Sequence, residues 1–275
     1  MPERTFSPRL SVVALAASLI VMGGCQREPA SSPGPAPATE TPTPVVTVAP
    51  APVLDRAGLL QAMDIAASAF ATGQEVGGTS LAGRRFVIRQ AFGCGDPAAS
   101  AGEKTAEPGL ANVSWDEARQ SLKLSLNPAD WSKSALIADD AEAWEAAEGF
   151  WLARPWLRVE GCPAVQSDPS VQDQPTAQTV GLAAVFNEGG SRTGRRNGRA
   201  YEFILRGEGD RPPVASANGY RLVLEGRMTA FADGHAIRCR ASDPNRRPVC
   251  VGAVQLDRVA FEDAEGKMLS EWRGG

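Results

Sequence analysis

From Leu54 onward the chain uses two different spacings of apolar residues. Leu59, Met63, Ala66 and Phe70 recur at i, i+4, i+7 and i+11, which places them on one helical stripe that predicts core. Asp55 stands where an N-cap carboxylate is needed, and Gly73 where the helix would stop. From Arg85 the period changes to two: Phe86, Ile88 and Phe92 share one face, and Val87, Arg89 and Ala91 the other. Residues 95–110 have loop composition. NVSWDEARQSLKLSLNP then reads as a hairpin, with Val113 and Trp115 on one strand and Leu122, Leu124 and Leu126 on the next.

Ala138 to Gly149 (ADDAEAWEAAEG) predicts a second helix, capped by Asp139, with acids in its first turn and Gly149 at its end. Phe150 to Val159 reads as extended, with Pro155 holding it at an edge or bulge. Gln166 to Gln178 is polar and broken by proline, a surface loop or a subdivision point within 54–275. Six strand candidates follow: Thr179–Phe186, Ala200–Leu205, Tyr220–Phe231, Ala236–Arg240, Val249–Phe261 and Met268–Trp272. Strands outnumber helices about nine to two. The expected fold is mainly β, an antiparallel sandwich or partly open barrel, with one or two peripheral helices.

The N-terminal pattern is of another kind. Arg4 and Arg9 precede an uncharged, largely apolar run from Leu10 to Met22, followed by Gly23, Gly24 and Cys25. That run falls in the range of a signal-peptide core and short of the roughly 20 residues a bilayer span needs. Val21-Met22-Gly23-Gly24-Cys25 resembles the lipobox of bacterial lipoproteins. The resemblance implies that residues 1–24 are a signal removed before Cys25, and that Cys25 carries the lipid. It also implies an outer-membrane destination, because Gln26 stands where an aspartate tends to retain such proteins in the inner membrane. An ordinary cleaved signal with an incidental Cys25 is the alternative.

Residues 26–53 contain eight prolines among Ala, Ser, Thr and Val. Proline removes backbone donors and favours extended chain, so residues 25–53 predict a semi-rigid spacer that reaches roughly 60–80 Å from the anchor. Losing Glu3, Arg4 and Arg9 with the signal takes the 28 basic and 32 acidic residues to 26 and 31. A net charge near −5 argues against nucleic acid as a partner. The membrane, reached through the lipid anchor, is the expected partner, with peptidoglycan or another envelope component as ligand.

Setting Cys25 aside leaves Cys94, Cys162, Cys239 and Cys250, an even number that predicts disulfides in an exported chain. Three pairings are open. Cys239–Cys250 is favoured because the intervening RASDPNRRPV contains a turn cluster, and Cys94–Cys162 follows by elimination. No C-x-x-C spacing supports a zinc site.

Candidate chemistry is sparse. The single histidine, His235, follows an Asp-Gly turn and has neither an orienting partner nor a nucleophile nearby in sequence. Ser80 and Ser191 each lack the closing glycine of a G-x-S-x-G elbow. Asp139, Asp140, Glu142, Glu145 and Glu148 form an acid cluster, read as a solvated helix face. Paired carboxylates can serve glycoside hydrolysis or a Ca²⁺ site, but glycosidase acids normally converge from different elements, and no EF-hand spacing is present. Core packing is the default for most of the six tryptophans, and Trp151 and Trp156, beside Pro155 at an expected edge, are the first pair to test as lining a sugar or ligand groove.

The loop Gly189–Arg199 (GGSRTGRRNGR) carries Arg192, Arg195, Arg196 and Arg199 without an acid, and reads as a hairpin tip with its arginines in solvent. Guanidinium forks suit carboxylates and phosphates, so these four form a candidate anion-binding set. Arg246 and Arg247 make a second basic turn. No cofactor or metal motif is present. The expected function is a tethered, non-catalytic binding or structural envelope lipoprotein, with its domain facing the periplasm or the cell surface. The alternative is a periplasmic hydrolase acting on an envelope component.

Overall fold

The computed structural model describes residues 51–75, 81–95, 107–137, 144–165, 170, 178–190, 194–209 and 211–274. Cys25, Ser80, Asp139, Asp140, Glu142, Ser191 and Arg192 lie outside these residues, as do residues 1–24 and most of residues 25–53.

Helix α1 (Arg56–Ala71) begins where Asp55 accepts the Gly58 N–H at 2.8 Å, and Gly73 follows it at φ +67°. A carboxylate cap of this kind contributes about 1 kcal/mol. Leu59, Met63 and Ala66 are buried as the stripe predicts, whereas Phe70 in the last turn is 37% exposed and lies off the core.

Eleven strands are present among the described residues: β1 (Arg85–Phe92), β2 (Ala111–Asp116), β3 (Ser121–Leu126), β4 (Ala129–Asp130), β5 (Ala146–Trp151), β6 (Val180–Phe186), β7 (Tyr201–Arg206), β8 (Tyr220–Met228), β9 (Ile237–Arg240), β10 (Val249–Asp263) and β11 (Met268–Arg273). The fold is therefore mainly β with one peripheral helix. Eight strands form one sheet in the order β1-β8-β10-β6-β5-β4, with β9 and β11 also paired to β10. Strands β2, β3 and β7 form the second sheet. Leu122 and Leu124 of β3 join Phe150, Leu222 and Phe261 of the large sheet, and Leu59 and Met63 of α1, in one core. Pairing is antiparallel except between β6 and β10, which run parallel.

The second helix predicted over 138–149 is overturned in its described part. Ala146–Trp151 is strand β5, hydrogen-bonded between β4 and β6, and Gly149 lies inside it. The reason is visible at Trp131, whose indole lies flat against Gly149 and Gly181. A Cβ built on Gly149 would meet the ring at 2.1 Å, and one on Gly181 at 2.6 Å. Trp131, with Ala147, Ala183 and Phe231, makes a smaller apolar cluster on the face of the sheet away from α1. Beyond Trp151 the chain turns rather than continuing extended: Arg154 sits at φ +50°. Arg56, buried in α1, ties this turn down, donating from Nε to Leu157 O (3.0 Å) and from Nη2 to Ala153 O (2.7 Å) and Arg154 O (3.0 Å).

Both expected disulfides form. Cys239 and Cys250 face each other across β9 and β10, with Cα atoms 4.1 Å apart. Cys94–Cys162, at 5.6 Å, joins the end of β1 to the chain beyond β5.

Candidate functional cleft

Strand β10 changes partners partway along one flank. Cys250–Val254 pair with β6, and Arg258–Glu262 pair with β11. Between them lie Gln255, Leu256 and Asp257, where the register against β8 also shifts between Leu256 and Arg258. The extra residue of such a bulge re-aims side chains and interrupts pairing. The sheet flank is thus notched, and two segments close over the notch. Gly274 donates its N–H to Asp257 O at 3.0 Å, and the loop from Gly194 to Arg199 runs beside it.

This loop is not a hairpin tip. It joins β6 of the large sheet to β7 of the small one. Nor do its described arginines all project into solvent. Arg195 pairs with Glu145 at 3.1 Å. Arg196 donates to Ala200 O (2.6 Å) and Arg199 O (3.3 Å), and its guanidinium lies 4.7 Å from the centre of the Tyr201 ring. Arg199 remains exposed, and among the described residues its side chain is engaged only through Nε, on Arg196 O at 3.3 Å.

The loop is fastened from below by a carboxylate. Glu148 Oε1 accepts the backbone N–H groups of Arg196 (2.8 Å) and Asn197 (3.0 Å). Asn197 at φ +52° and Gly198 at φ +77° supply the left-handed backbone that lets successive N–H groups converge on one anion. Glu148 belongs to β5 and shares the face of Phe150, which sends it into the core side of the sheet. Burial pushes its carboxyl above the usual range, while the two backbone bonds and the charges of Arg195 and Arg196 pull it back. Burial and the nearby Glu148 charge push the Tyr201 phenol upward. The described acids of the cluster are therefore not a solvated helix face. Glu145 and Glu148 are struts beneath the basic loop.

Two adjoining cavities open at the notch and share Leu256 and Asp257. One, about 390 Å³, is lined by Arg196, Arg199, Arg258 and Arg273 together with Tyr201 and Trp272. Arg258 is held there by Glu225 and by Glu271 (3.0 Å), and Arg273 by Glu271 (3.2 Å). Trp272 meets Tyr201 edge to face at 5.2 Å. The other cavity, about 510 Å³, is lined by Trp144, Phe186, Asn187, Gln255 and Thr229 together with Glu148. A third, about 270 Å³, lies on the β4 side of Glu148, between Asp130, Ser132 and Arg195.

Elsewhere the expected residues stay apart. His235 closes the β8–β9 turn, its N–H donating to Asp233 Oδ1 at 2.9 Å, and borders none of the three cavities. Trp151 does not pair with Trp156. It packs against Trp131 with centroids 4.7 Å apart, while Trp156 is 58% exposed. Arg247 engages Asp64 of α1, which Arg158 also reaches at 2.9 Å. Among the described residues, no three His, Cys, Asp or Glu side chains converge to hold a metal ion.

Sequence reasoning missed Asp257, Arg258, Trp272 and Arg273 as cleft residues. The one local signal is the polar interruption Gln255 to Arg258 inside the apolar run Val249–Phe261. No protein-family model matches the chain, and no curated protein and no solved structure matches it.

Proposed function

We propose that the chain is an envelope lipoprotein, anchored through acyl groups on Cys25 and held away from the outer membrane by the proline-rich spacer. Its β domain faces the periplasm and binds an anionic envelope component, such as peptidoglycan, without chemistry. The observation that carries the binding reading is the arginine-lined cavity at the β10 notch. Its described lining holds five arginines, Arg195, Arg196, Arg199, Arg258 and Arg273, against one carboxylate, Asp257. Guanidinium groups already positioned by neighbours lose little freedom on meeting a carboxylate or phosphate. Among the described residues, Arg199 is the one of these whose two terminal nitrogens both lack a protein partner, while Arg195, Arg196 and Arg273 each have one terminal nitrogen bonded.

Two measurements test the reading. Mass spectrometry of protein extracted from membranes should find Cys25 as the lipidated N-terminal residue; an unmodified Cys25 removes the anchor. Full-length protein should sediment with isolated peptidoglycan and lose most of that retention in an Arg199→Gln/Arg273→Gln variant. Retention unchanged by both substitutions removes the cavity from the binding reading.

The second reading is a hydrolase of an envelope component. It is favoured by Glu148 and Asp257 lining one cavity, with Glu148 raised by burial toward the range of a general acid. Against it, Glu148 Oε1 already accepts two backbone N–H groups, and Asp257 faces Arg227 at 3.8 Å. Release of soluble fragments from peptidoglycan, abolished by Glu148→Gln, would favour hydrolysis over binding.

A further inference from the structure

We infer that the notch is a two-part site for an acidic saccharide, a sugar that carries a carboxylate or phosphate. The inference rests on the binding reading above and adds the second cavity to it. The two cavities are contiguous through Leu256 and Asp257 but differ in chemistry. The first presents guanidinium groups. The second, with Arg227 as the one basic residue among the described residues of its lining, presents the rings of Trp144 and Phe186 beside the amides of Asn187 and Gln255 and the hydroxyl of Thr229.

That second set is what a pyranose requires. Sugar rings have apolar C–H faces that lie against aromatic rings, and hydroxyls at their rims that both donate and accept. Asn and Gln amides match such rims because one group offers a donor and an acceptor side by side. A volume of about 510 Å³ falls within the range of small-molecule sites, about 300–1,000 Å³. Asn187 and Gln255 are exposed, so their polar groups are not spent on the core. An anionic substituent on that ring, directed past Asp257, reaches the side lined by Arg199. A neutral sugar would leave the arginines unused, and a bare anion would leave the second cavity unused. Only a ligand with both parts fills the notch.

Full-length protein in detergent micelles, titrated calorimetrically with four probes, tests this. The probes are a trimer of a β-linked hexuronic acid, the neutral hexose trimer of the same linkage, a hexosamine phosphate and inorganic phosphate. At least one acidic sugar should bind about 10-fold or more tighter than the neutral trimer, the gain expected of one charge-assisted contact. Which of the two binds tells whether carboxylate or phosphate is the recognised group. Arg199→Gln should erase that gain without weakening the neutral trimer. Asn187→Ala/Gln255→Ala should weaken the acidic sugar several-fold and leave inorganic phosphate unaffected. If phosphate binds as tightly as any sugar and the Asn187/Gln255 variant is indifferent, the saccharide inference fails while the anion-binding reading stands. If none of the probes binds, both fail.

Discussion

Glu148 and Arg196, 48 residues apart in sequence, are joined by a 2.8 Å hydrogen bond from the Arg196 backbone N–H to the Glu148 carboxylate. A side chain of the large sheet therefore fixes the loop that leads into the small one, and with it the arginines of the cleft. The anion that the loop backbone binds belongs to the protein itself. What remains for a ligand is the outward side of the loop.

Glu148→Ala should leave the N–H groups of Arg196 and Asn197 without their acceptor. The expected loss is about 1–2 kcal/mol, below the full cost of two buried unsatisfied donors at about 1–3 kcal/mol each, because Arg196 is half-buried and Asn197 exposed to water. Urea unfolding measures it. Faster proteolysis within 194–200 than in the parent would place the damage at the loop.

Glu148 also gives a pH signature. Its folded carboxyl is raised, so between the unfolded value, about 4.3, and the raised one the folded state binds more protons than the unfolded state. Stability from this group is greatest below the unfolded value and declines as pH rises through the folded one. Relative to Glu148→Gln, the parent protein should gain stability as pH is lowered from neutrality toward about 4, and level off below it. Unfolding midpoints of the two proteins along a pH series check this; a difference that is flat with pH would contradict it.

Gly149→Ala places a methyl where the Trp131 ring lies, 2.1 Å from the nearest ring atom. Overpacking of this kind costs about 1–3 kcal/mol, and a rigid indole puts the expected loss at the upper end. A Trp131→Leu background should reduce the penalty, because the group that clashes is gone. Thermal unfolding of the two single variants and the double variant tests the coupling.

Arg56 is buried among three carbonyls, and burial followed by the charge of Arg154 pulls its guanidinium down to about 10. Arg56→Ala strips the turn at 153–157 of these bonds and should cost about 3 kcal/mol, the range for removing charged hydrogen bonds. Hydrogen exchange should show the turn opening ahead of the sheet.

The disulfides should differ in worth. Sequence separations of 11 and 68 give about 3 kcal/mol for Cys239–Cys250 and about 4 kcal/mol for Cys94–Cys162 by loop-closure entropy. Paired serine substitutions, compared by urea unfolding, check both the size and the order.

Local pattern was enough for much of the fold. Asp55, the stripe of Leu59 and Met63, and Gly73 define α1 within the chain's own span, because capping and helical periodicity act over a few residues. The strands from Val180 to Arg273 are legible for the same reason: alternation follows directly from the pleat, and the turns between them carry Gly, Asp and Pro. The pairing of Cys239 with Cys250 needed only the turn cluster between them.

Tertiary structure decided the rest. Ala146, Ala147 and Glu148 are residues that favour helix when isolated, yet β4, β6 and the Trp131 ring against Gly149 hold this segment as a strand. Packing and cross-strand hydrogen bonds outweigh differences of a few tenths of a kcal/mol in propensity. That change of state is also what aims Glu148 at the loop, a contact between an acid cluster and a basic segment that look independent in sequence. The notch depends on where β10 exchanges β6 for β11, a property of strand order. Residues 255–258 and 272–274 become one cleft because the sheet brings them together, and no local spacing encodes that.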